Sequence, residues 1–405
     1  MWNSVYEGWL ALCKRVRARV SGFSNASEIR EISRCLHERL KKTPLPADPS
    51  LLKGADRALY DRILSETRRQ NRNNVTRTTA YWEIFQRAPE LHWALLAHMV
   101  SRNGGYNMTD LRGDLLPRMM EGREAEQFFQ FLERANFLIF GDAYPQLLLY
   151  EASRDAGKPL FHLLPYFGVS QFMSIVWERF WETNDSELLT MALVVNEQNY
   201  IEHRVVRNPK YLPVMNSFEF KAQTILNLTQ VVFPYQSPYD KPKVQLAGVT
   251  VATFLSLTER IDTGRRLYAI LFGKPEVYDG VLKWAERTPH TASRADYWPH
   301  LYTPKRQEQE QSEQRYSPRL NGLFLKKGAL PLHSPPLGDA WPDVENPEPP
   351  GGHDWCRSAD AAKELYGTRP GKNFNLTAAC AKTLAMIEKA VAAETWWDGN
   401  KQSRE

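Results

Sequence analysis

The sequence predicts an all-α protein, an irregular multi-helix bundle with a Pro-rich extended arm and a C-terminal helix. Apolar residues recur at helical spacing along most of the chain. The 405 residues are 42% hydrophobic and 12% aromatic, which is ample material for a large core. After Tyr302 the composition changes, because residues 303–352 contain nine prolines. These observations favour a helical body that is followed by an extended segment.

Composition divides the chain into four expected parts. We expect an N-terminal basic helical region at 1–75 and a main helical domain at 76–302. A Pro-rich linker or arm follows at 303–352, and a C-terminal helical extension covers 353–405. Two parts of this arm, Tyr316–Leu320 and Trp341, are the candidates for anchoring it to the main helical domain.

Charge and cysteine usage exclude several classes of protein. The formal net charge of +5 is small for 405 residues, so there is no strong nucleic-acid signal. The four cysteines are far apart and form neither a CxxC motif nor a Cys/His cluster, which favours a reducing compartment. No phosphate loop, GxGxxG, GxSxG or HExxH motif occurs, so we expect no cofactor. We predict no membrane span and a cytoplasmic location.

The first twenty residues predict an amphipathic helix with a basic face. One interpretation is a helix that packs on its own domain. The other is a helix at residues 1–20 that contacts a membrane surface or a protein partner. We favour packing, because most amphipathic helices pack within globular proteins. The four arginines of 68–77 have no aromatic residues between them, so a solvated surface is favoured there over nucleic-acid binding.

The central helices are predicted from residue 78 onward. One helix should end near Arg87, and the next, apolar on nearly every side, should begin at Pro89 and run to Arg102. Gly104-Gly105 should stop that helix, and Asn107 should cap the following one.

Further helices are predicted at 124–140, 170–182, 186–207, 217–232 and 251–273, with a final helix at Leu376–Thr395. The alternation of Val244 and Leu246 with Val249 and Val251 allows one small hairpin around Gly248.

Several long motifs are similar to a family of Bacillus and its relatives that is described as a domain of unknown function. The motifs are Met99–Leu111, Asp142–Gln146, Val195–Tyr200 and the residues around Asp296–His300. The resemblance covers about residues 70–302, and a weaker similarity is present at Tyr316–Leu320. Residues 355–405 resemble no known family. It implies a cytoplasmic bacterial protein and carries no activity.

A polar stripe interrupts the apolar face of the predicted helix at 186–207. Leu189 and Ala192 are followed at helical spacing by Asn196, Asn199 and His203. Buried amides and imidazoles cost about 1–3 kcal/mol each when unpaired, so partners are required. A polar layer between helices explains the stripe more simply than a ligand or catalytic network, which Glu197 on a neighbouring face could join.

The segment 290–300 is the second polar cluster. Ser293 and Asp296 are typical of the cap of a short helical turn, and capping accounts for most of these polar residues. The alternative is an anion or metal site that uses His290, Arg294, Asp296 and His300. His92 and His98 lie about 120° apart on one helix and are interpreted as core histidines.

We predict that three polar regions converge, with Arg102 or Arg294 in reach of the Asn196–His203 face. The candidate polar site comprises Arg102, Asn103, Asn196, Glu197, Asn199, His203, His290, Arg294, Asp296 and His300.

The sequence does not determine a function. A helical interaction or scaffold protein with a protein partner is favoured, because no catalytic motif stands out. The alternatives are a hydrolase-like enzyme that uses a His/Asp/Glu/Arg cluster, with or without a metal, and a protein docked on a membrane surface through residues 1–20. A cavity lined by convergent polar groups would favour the enzyme. A filled core with a large exposed apolar patch would favour the scaffold.

Overall fold

Helices make up most of the structure. The computed structural model describes residues 26–41, 47–213, 230–239, 244–306, 316–347 and 354–402, with side chains through residue 393. The helices are α1 (Ala26–Leu40), α2 (Gly54–Gln70), α3 (Asn74–Arg87), α4 (His92–Asp110), α5 (Gly122–Ala156), α6 (Gln171–Thr183), α7 (Ser186–Ile201), α8 (Leu257–Gly273), α9 (Pro275–Arg287), α10 (Leu337–Ala340) and α11 (Thr377–Gln402). The strands are β1 (Gln230–Gln236), β2 (Val244–Thr250), β3 (Tyr302–Thr303), β4 (Leu320–Asn321), β5 (Phe324–Leu325) and β6 (Leu332–His333). The predicted fold class is confirmed as mostly helical.

Helix α4 lies at the centre, as its apolar sequence predicts. It packs against α3, α5, α7 and α8 and against strand β1. His92 and His98 are both buried core histidines. Nδ1 of His92 is 3.0 Å from the Tyr268 hydroxyl, and Nδ1 of His98 is 2.8 Å from the Thr78 carbonyl oxygen. Burial lowers the pKa of His92 to about 3, so its ring is neutral.

The predicted end of the central helix at Gly104-Gly105 is wrong. Helix α4 continues through both glycines to Asp110, so Asn107 lies in its last turn and caps no helix. Gly105 is required for packing instead. A Cβ atom there would lie 2.4 Å from Asn74 Oδ1 and 2.8 Å from His290 Nε2. Close approach of two polar side chains to the helix therefore explains the glycine, and the sequence alone could not show it.

Helix boundaries elsewhere agree in part with the predictions. The loop before α3 begins after Gln70, and Asn73 caps α3 through a capping box with Thr76. The predicted helix at 124–140 is longer, because α5 continues through Pro145 and ends at Gly157, whose φ of 64° is left-handed. Helix α8 begins at Leu257 after the Ser256 cap, later than predicted. Helix α7 ends at Ile201, and a π-helical turn follows at Glu202–Val206.

Strands β1 and β2 form an antiparallel β ribbon, which differs from the predicted helix at 217–232 and from the predicted hairpin around Gly248. Residues 230–232, predicted as the end of a helix, belong to β1, which pairs antiparallel with β2. Residues 244–250 form one continuous strand and do not turn at Gly248. Gly248 faces Val232, and a Cβ there would lie 2.1 Å from the Val231 carbonyl oxygen. The glycine thus permits the close approach of the two strands.

The Pro-rich arm lies on the helical body through the predicted anchors. The Trp341 indole donates a hydrogen bond of 2.8 Å to the Met108 carbonyl oxygen and stacks on Phe129. The Tyr316 hydroxyl donates to the buried Glu388 of α11 at 2.6 Å. Buried apolar residues from Ile32 to Val391 form one cluster. The division of the chain into four parts stays a prediction.

Two predicted elements lie outside the described residues. They are the amphipathic helix at residues 1–20 and most of the helix at 217–232. Within the part of the chain that the structure describes, no helix combines the length and the hydrophobicity that a membrane crossing requires.

The two adjacent glycines of α4 give a matched test of the packing argument. We expect Gly105→Ala to lower the free energy of unfolding by about 1–3 kcal/mol, because the new methyl group overlaps Asn74 and His290. Gly104→Ala should raise it by roughly 0.5–1 kcal/mol, because its nearest neighbours are 3.8 Å away and alanine favours helix. Urea unfolding measures both values. Equal effects at the two positions would contradict the explanation.

Candidate functional site

A cavity of about 500 Å³ lies beside helix α4 among the described residues. Its wall is formed by α3, α4, α5, α7, α8, strand β1 and the segment that follows β2. Most lining side chains are apolar or aromatic, namely Tyr81, Trp93, Leu96, Ala97, Val100, Phe128, Phe131, Leu132, Ala135, Ile139, Val194, Ile201, Val231, Val251, Ala252, Phe254 and Leu267. The polar side chains of the wall are Ser101, Asn103, Asn107, Asn136, Glu197, Gln198, Thr250, Thr253, Arg260 and Thr263.

Three of these polar side chains form a chain of hydrogen bonds. Arg260 Nε donates to Gln198 Oε1 at 2.9 Å, and Gln198 Nε2 donates to Glu197 Oε1 at 3.2 Å. Arg260 also pairs with Glu202 and donates to the Phe254 carbonyl oxygen at 2.8 Å. Its positive charge is therefore compensated. The charge of Glu197 is not, because the described residues hold no ion-pair partner for it.

The carboxyl of Glu197 prefers its protonated form. Desolvation by the surrounding apolar wall raises the pKa of Glu197 to about 8, although hydrogen bonds from Gln198 and Trp93 oppose the shift. A neutral carboxylic acid in an apolar cavity can donate one hydrogen bond to a bound molecule. A carboxyl with such a pKa in a cavity is also a common feature of functional sites.

Asn196 belongs to a closed polar layer on another face of α7. Its Nδ2 donates to Asp142 Oδ2 at 2.6 Å, and its Oδ1 accepts from Ser170 Oγ at 2.9 Å and from Trp355 Nε1 at 2.8 Å. Gln146 donates to the same Asp142 oxygen at 3.0 Å. Burial raises the pKa of Asp142 to about 7, against the lowering effect of these amides. Every polar group of Asn196 is satisfied, so this layer holds helices together.

The rest of the predicted stripe leaves the core. Asn199 is only partly buried and donates to the Val195 carbonyl oxygen of its own helix at 2.8 Å. His203 lies in the π-helical turn and is exposed. The expectation of three buried polar residues on one face therefore holds for Asn196 alone.

The segment 290–300 meets the end of helix α4. Arg294 Nη2 forms an ion pair of 2.6 Å with Asp110 Oδ2 and approaches Asn107 Oδ1 at 3.4 Å. His290 Nε2 is 2.9 Å from Asn74 Oδ1. The Ser293 side chain caps a short 3-10 turn, as predicted. Asp296 accepts from the backbone and hydroxyl of Thr291, at 3.0 and 2.6 Å, instead of facing a ligand. His300 is exposed.

Arg102 and Asn103 have structural partners. The Arg102 guanidinium donates to His98 Nε2 at 3.1 Å and to the Thr288 carbonyl oxygen, and it lies over the Trp284 ring at 4.5 Å. Asn103 Oδ1 accepts from the backbone of Val232 at 3.1 Å, which docks strand β1 on α4.

The structure brings two of the three predicted regions together. The end of α4 contacts the segment 290–300, but neither Arg102 nor Arg294 hydrogen-bonds to Asn196, Asn199 or His203 within the described residues. The physical reason is that Asp142, Ser170 and Trp355 already satisfy Asn196. Asn103 and Glu197 do share one site, since both line the cavity. Among the described residues no group of three or more His, Cys, Asp or Glu side chains is arranged to hold a metal ion.

Sequence reasoning missed most of the cavity wall. Gln198 and Arg260 were not among the candidate residues, and Asp142 was noted only within a motif. Arg260 lies next to the apolar stripe of α8, one turn before Gly264, whose absent Cβ allows contact with Val194. The sequence offered one signal for this residue, since Arg260 is a charged residue beside the apolar stripe of the helix that was predicted at 251–273.

Comparison with known proteins identifies the family. Residues 69–396 match the family described as protein of unknown function (DUF2515). The chain belongs to the DUF2515 family. The predicted resemblance is thereby confirmed, and the match extends beyond residue 302 into helix α11. The chain is also 43% identical over 243 residues to the uncharacterized protein YppC of Bacillus subtilis (strain 168), which covers 60% of this chain and 74% of that protein. No solved structure matches the chain. The DUF2515 description assigns no activity, so function must be inferred from geometry.

The two asparagines of α7 test the polar layer. We expect Asn196→Ala to lower the free energy of unfolding by about 2–4 kcal/mol, because Asp142, Ser170 and Trp355 would each lose a buried partner. Asn199→Ala should change it by less than about 0.5 kcal/mol, since that amide contacts only its own helix. Thermal or urea unfolding of both variants gives the comparison. A small effect of Asn196→Ala would show that the layer is dispensable.

The raised pKa of Glu197 predicts a pH-dependent stability. The unfolded chain releases this proton near the ordinary pKa of 4.5, whereas the fold holds it until about pH 8. Stability therefore falls as pH rises between these two values. Glu197→Gln has no titratable proton and removes this pH-dependent loss of stability. The variant should therefore be more stable than the wild type by roughly 3 kcal/mol at about pH 7, with no difference near pH 4. Urea unfolding across this range is the measurement.

The exposed Glu286 of α9 supplies the control, because Glu286→Gln should give a curve parallel to that of the wild type. A constant difference between Glu197→Gln and wild type at all pH values would contradict the assigned titration.

Proposed function

We propose that this DUF2515 protein binds a mostly apolar small molecule in the cavity beside α4. The cavity carries the proposal, because its volume of about 500 Å³ lies in the range of small-molecule sites and its wall is largely apolar. Protein interiors are normally close-packed. Apolar side chains that face empty space forfeit packing contacts, which a bound apolar molecule would supply.

An interaction or scaffold role, which the sequence favoured, has weaker support. It would be supported by a filled core and a large exposed apolar patch. The described core instead contains the cavity. The exposed large apolar residues come from separate parts of the chain, and one of them, Val100, lines the cavity.

An enzymatic role is also less well supported than binding. Most of the candidate polar residues are engaged with each other or with backbone groups away from the cavity. Arg294 pairs with Asp110, Asp296 binds Thr291, and Arg102 binds His98. The cavity wall presents one carboxyl without an ion pair, Glu197, where catalysis would require several convergent groups.

We further propose a cytoplasmic location. The described cysteines Cys35, Cys356 and Cys380 are free thiols, which supports a reducing compartment. Contact of residues 1–20 with a protein partner or a membrane surface stays a prediction, because those residues lie outside the described part of the chain.

Two alanines of helix α5 allow a direct test of ligand binding. Ala135 lines the cavity, whereas Ala152 lies in a separate, more open and more polar depression beside Arg62 and Glu66. We expect the wild type to bind the neutral apolar dye N-phenylnaphthylamine, with an increase in its fluorescence. Ala135→Phe should weaken binding at least about tenfold, because the ring occupies the ligand's volume, and it should keep or raise the thermal midpoint. Ala152→Phe should bind like the wild type.

Failure of the folded wild type to bind the dye or any apolar molecule would overturn the proposal. Equal loss of binding in both variants would also contradict it, since the site would then not be the cavity.

A further inference from the structure

We propose that Glu197 makes the cavity selective for neutral apolar molecules that carry one hydrogen-bond acceptor, such as a ketone or aldehyde oxygen. This inference rests on the proposed function, because it assigns the head-group position within the same cavity.

The contacts around the Glu197 carboxyl leave one type of hydrogen bond available to a ligand. Arg260 holds the oxygen of the Gln198 amide, so the amide nitrogen must face Glu197 and donates to its Oε1. A protein donor thus already supplies a hydrogen bond to Glu197. The remaining function of a carboxylic acid is its O–H group, which requires an acceptor from the ligand.

Charge on the wall disfavours ionised ligands. Among the described wall residues, an anionic head group would find no free cation, because Arg260 is paired with Glu202. A cationic head group would require Glu197 to ionise, and it would lie near the guanidinium of Arg260, which is one side chain away through Gln198. Desolvating either ion in an apolar cavity carries a further cost. A neutral ligand avoids these penalties.

The electrostatics of Glu197 agree with this assignment. Burial among apolar side chains raises its pKa to about 8, so the acid form prevails at neutral pH. An acceptor on the ligand would stabilise that form further, because only the acid can donate to it. Selectivity should therefore disappear when the pH is raised enough to ionise Glu197.

A series of ten-carbon molecules separates chain binding from head-group recognition. Decane, methyl octyl ketone, decylamine and decanoate are titrated against the complete protein at about pH 6 and about pH 10, by displacement of N-phenylnaphthylamine. At about pH 6 we expect the ketone to bind about fivefold to tenfold more tightly than decane, which corresponds to one buried hydrogen bond. The amine and the carboxylate should bind more weakly than the ketone. At about pH 10 the advantage of the ketone over decane should be lost.

Two variants assign the effect to Glu197. Glu197→Gln keeps an N–H donor without a titratable proton, so it should retain a preference for the ketone at both pH values. Glu197→Leu should bind decane and the ketone equally and keep the affinity for decane. If Glu197→Leu does not fold, the test is the comparison of the wild type with Glu197→Gln. The wild type should lose its preference for the ketone at about pH 10, and Glu197→Gln should keep it.

The outcomes distinguish this inference from the proposed function. Binding of decane together with an unchanged ketone preference in Glu197→Leu would overturn the role of Glu197 and leave the cavity as a binding site. Tightest binding of decylamine or decanoate at about pH 6 would overturn the neutral ligand class. Absence of binding for the whole series would overturn the proposed function itself.

Discussion

Burial of helix α4 on every side except the one that faces the cavity is the constraint on which the rest of the structure depends. Helices α3, α5, α7 and α8 and strand β1 all pack against it. A helix surrounded in this way can carry polar side chains only where neighbouring elements supply partners. Arg102 therefore binds the Thr288 carbonyl oxygen, Asn103 binds the backbone of β1, and Thr109 donates to Ala292 at 2.6 Å. These three polar residues thus fix the end of α9, strand β1 and the segment 290–300 against α4.

Two buried arginines of the helical body are held in ion pairs. Arg77 of α3, which the sequence placed on a solvated surface, pairs instead with Glu133 of α5, and both side chains are almost fully buried. Arg260 of α8 pairs with Glu202 after α7. Loss of one partner from a buried pair leaves an isolated charge, which costs several kcal/mol. Glu197 differs from these residues because it has no paired cation among the described residues, and its environment favours the neutral form instead.

The sequence predicted the features that depend on local periodicity. The end of α3 near Arg87 and the apolar character of α4 follow from residue spacing and from Pro89, which act within a few positions. The core assignments of His92 and His98 were also correct. Features that depend on distant neighbours were not predictable. Gly105 was interpreted as a stop signal because its contacts, Asn74 and His290, lie far away in sequence.

The candidate site shows the same division. Asn196 was singled out correctly as a buried polar residue, because an amide within an apolar stripe is visible in the sequence. Its partners Asp142, Ser170 and Trp355 come from three other segments, so its structural role was not visible. The predictions for β1 and β2 were wrong for a related reason, since strand pairing depends on a partner strand as well as on intrinsic propensity.

The cavity beside α4 and the Glu197 carboxyl together link the stability of the protein to ligand binding. The cavity leaves apolar side chains without packing contacts, and its apolar wall desolvates the partly buried Glu197. A ligand that fills the volume and accepts the Glu197 proton in a hydrogen bond offsets both terms at once. Because such a ligand binds only the folded state, it stabilises the protein by RT ln(1 + [L]/Kd), about 2.7 kcal/mol at a hundredfold excess over Kd. The free energy of unfolding of this DUF2515 protein would then rise with the concentration of its ligand, because the cavity and the carboxyl that receive the ligand exist only in the folded state.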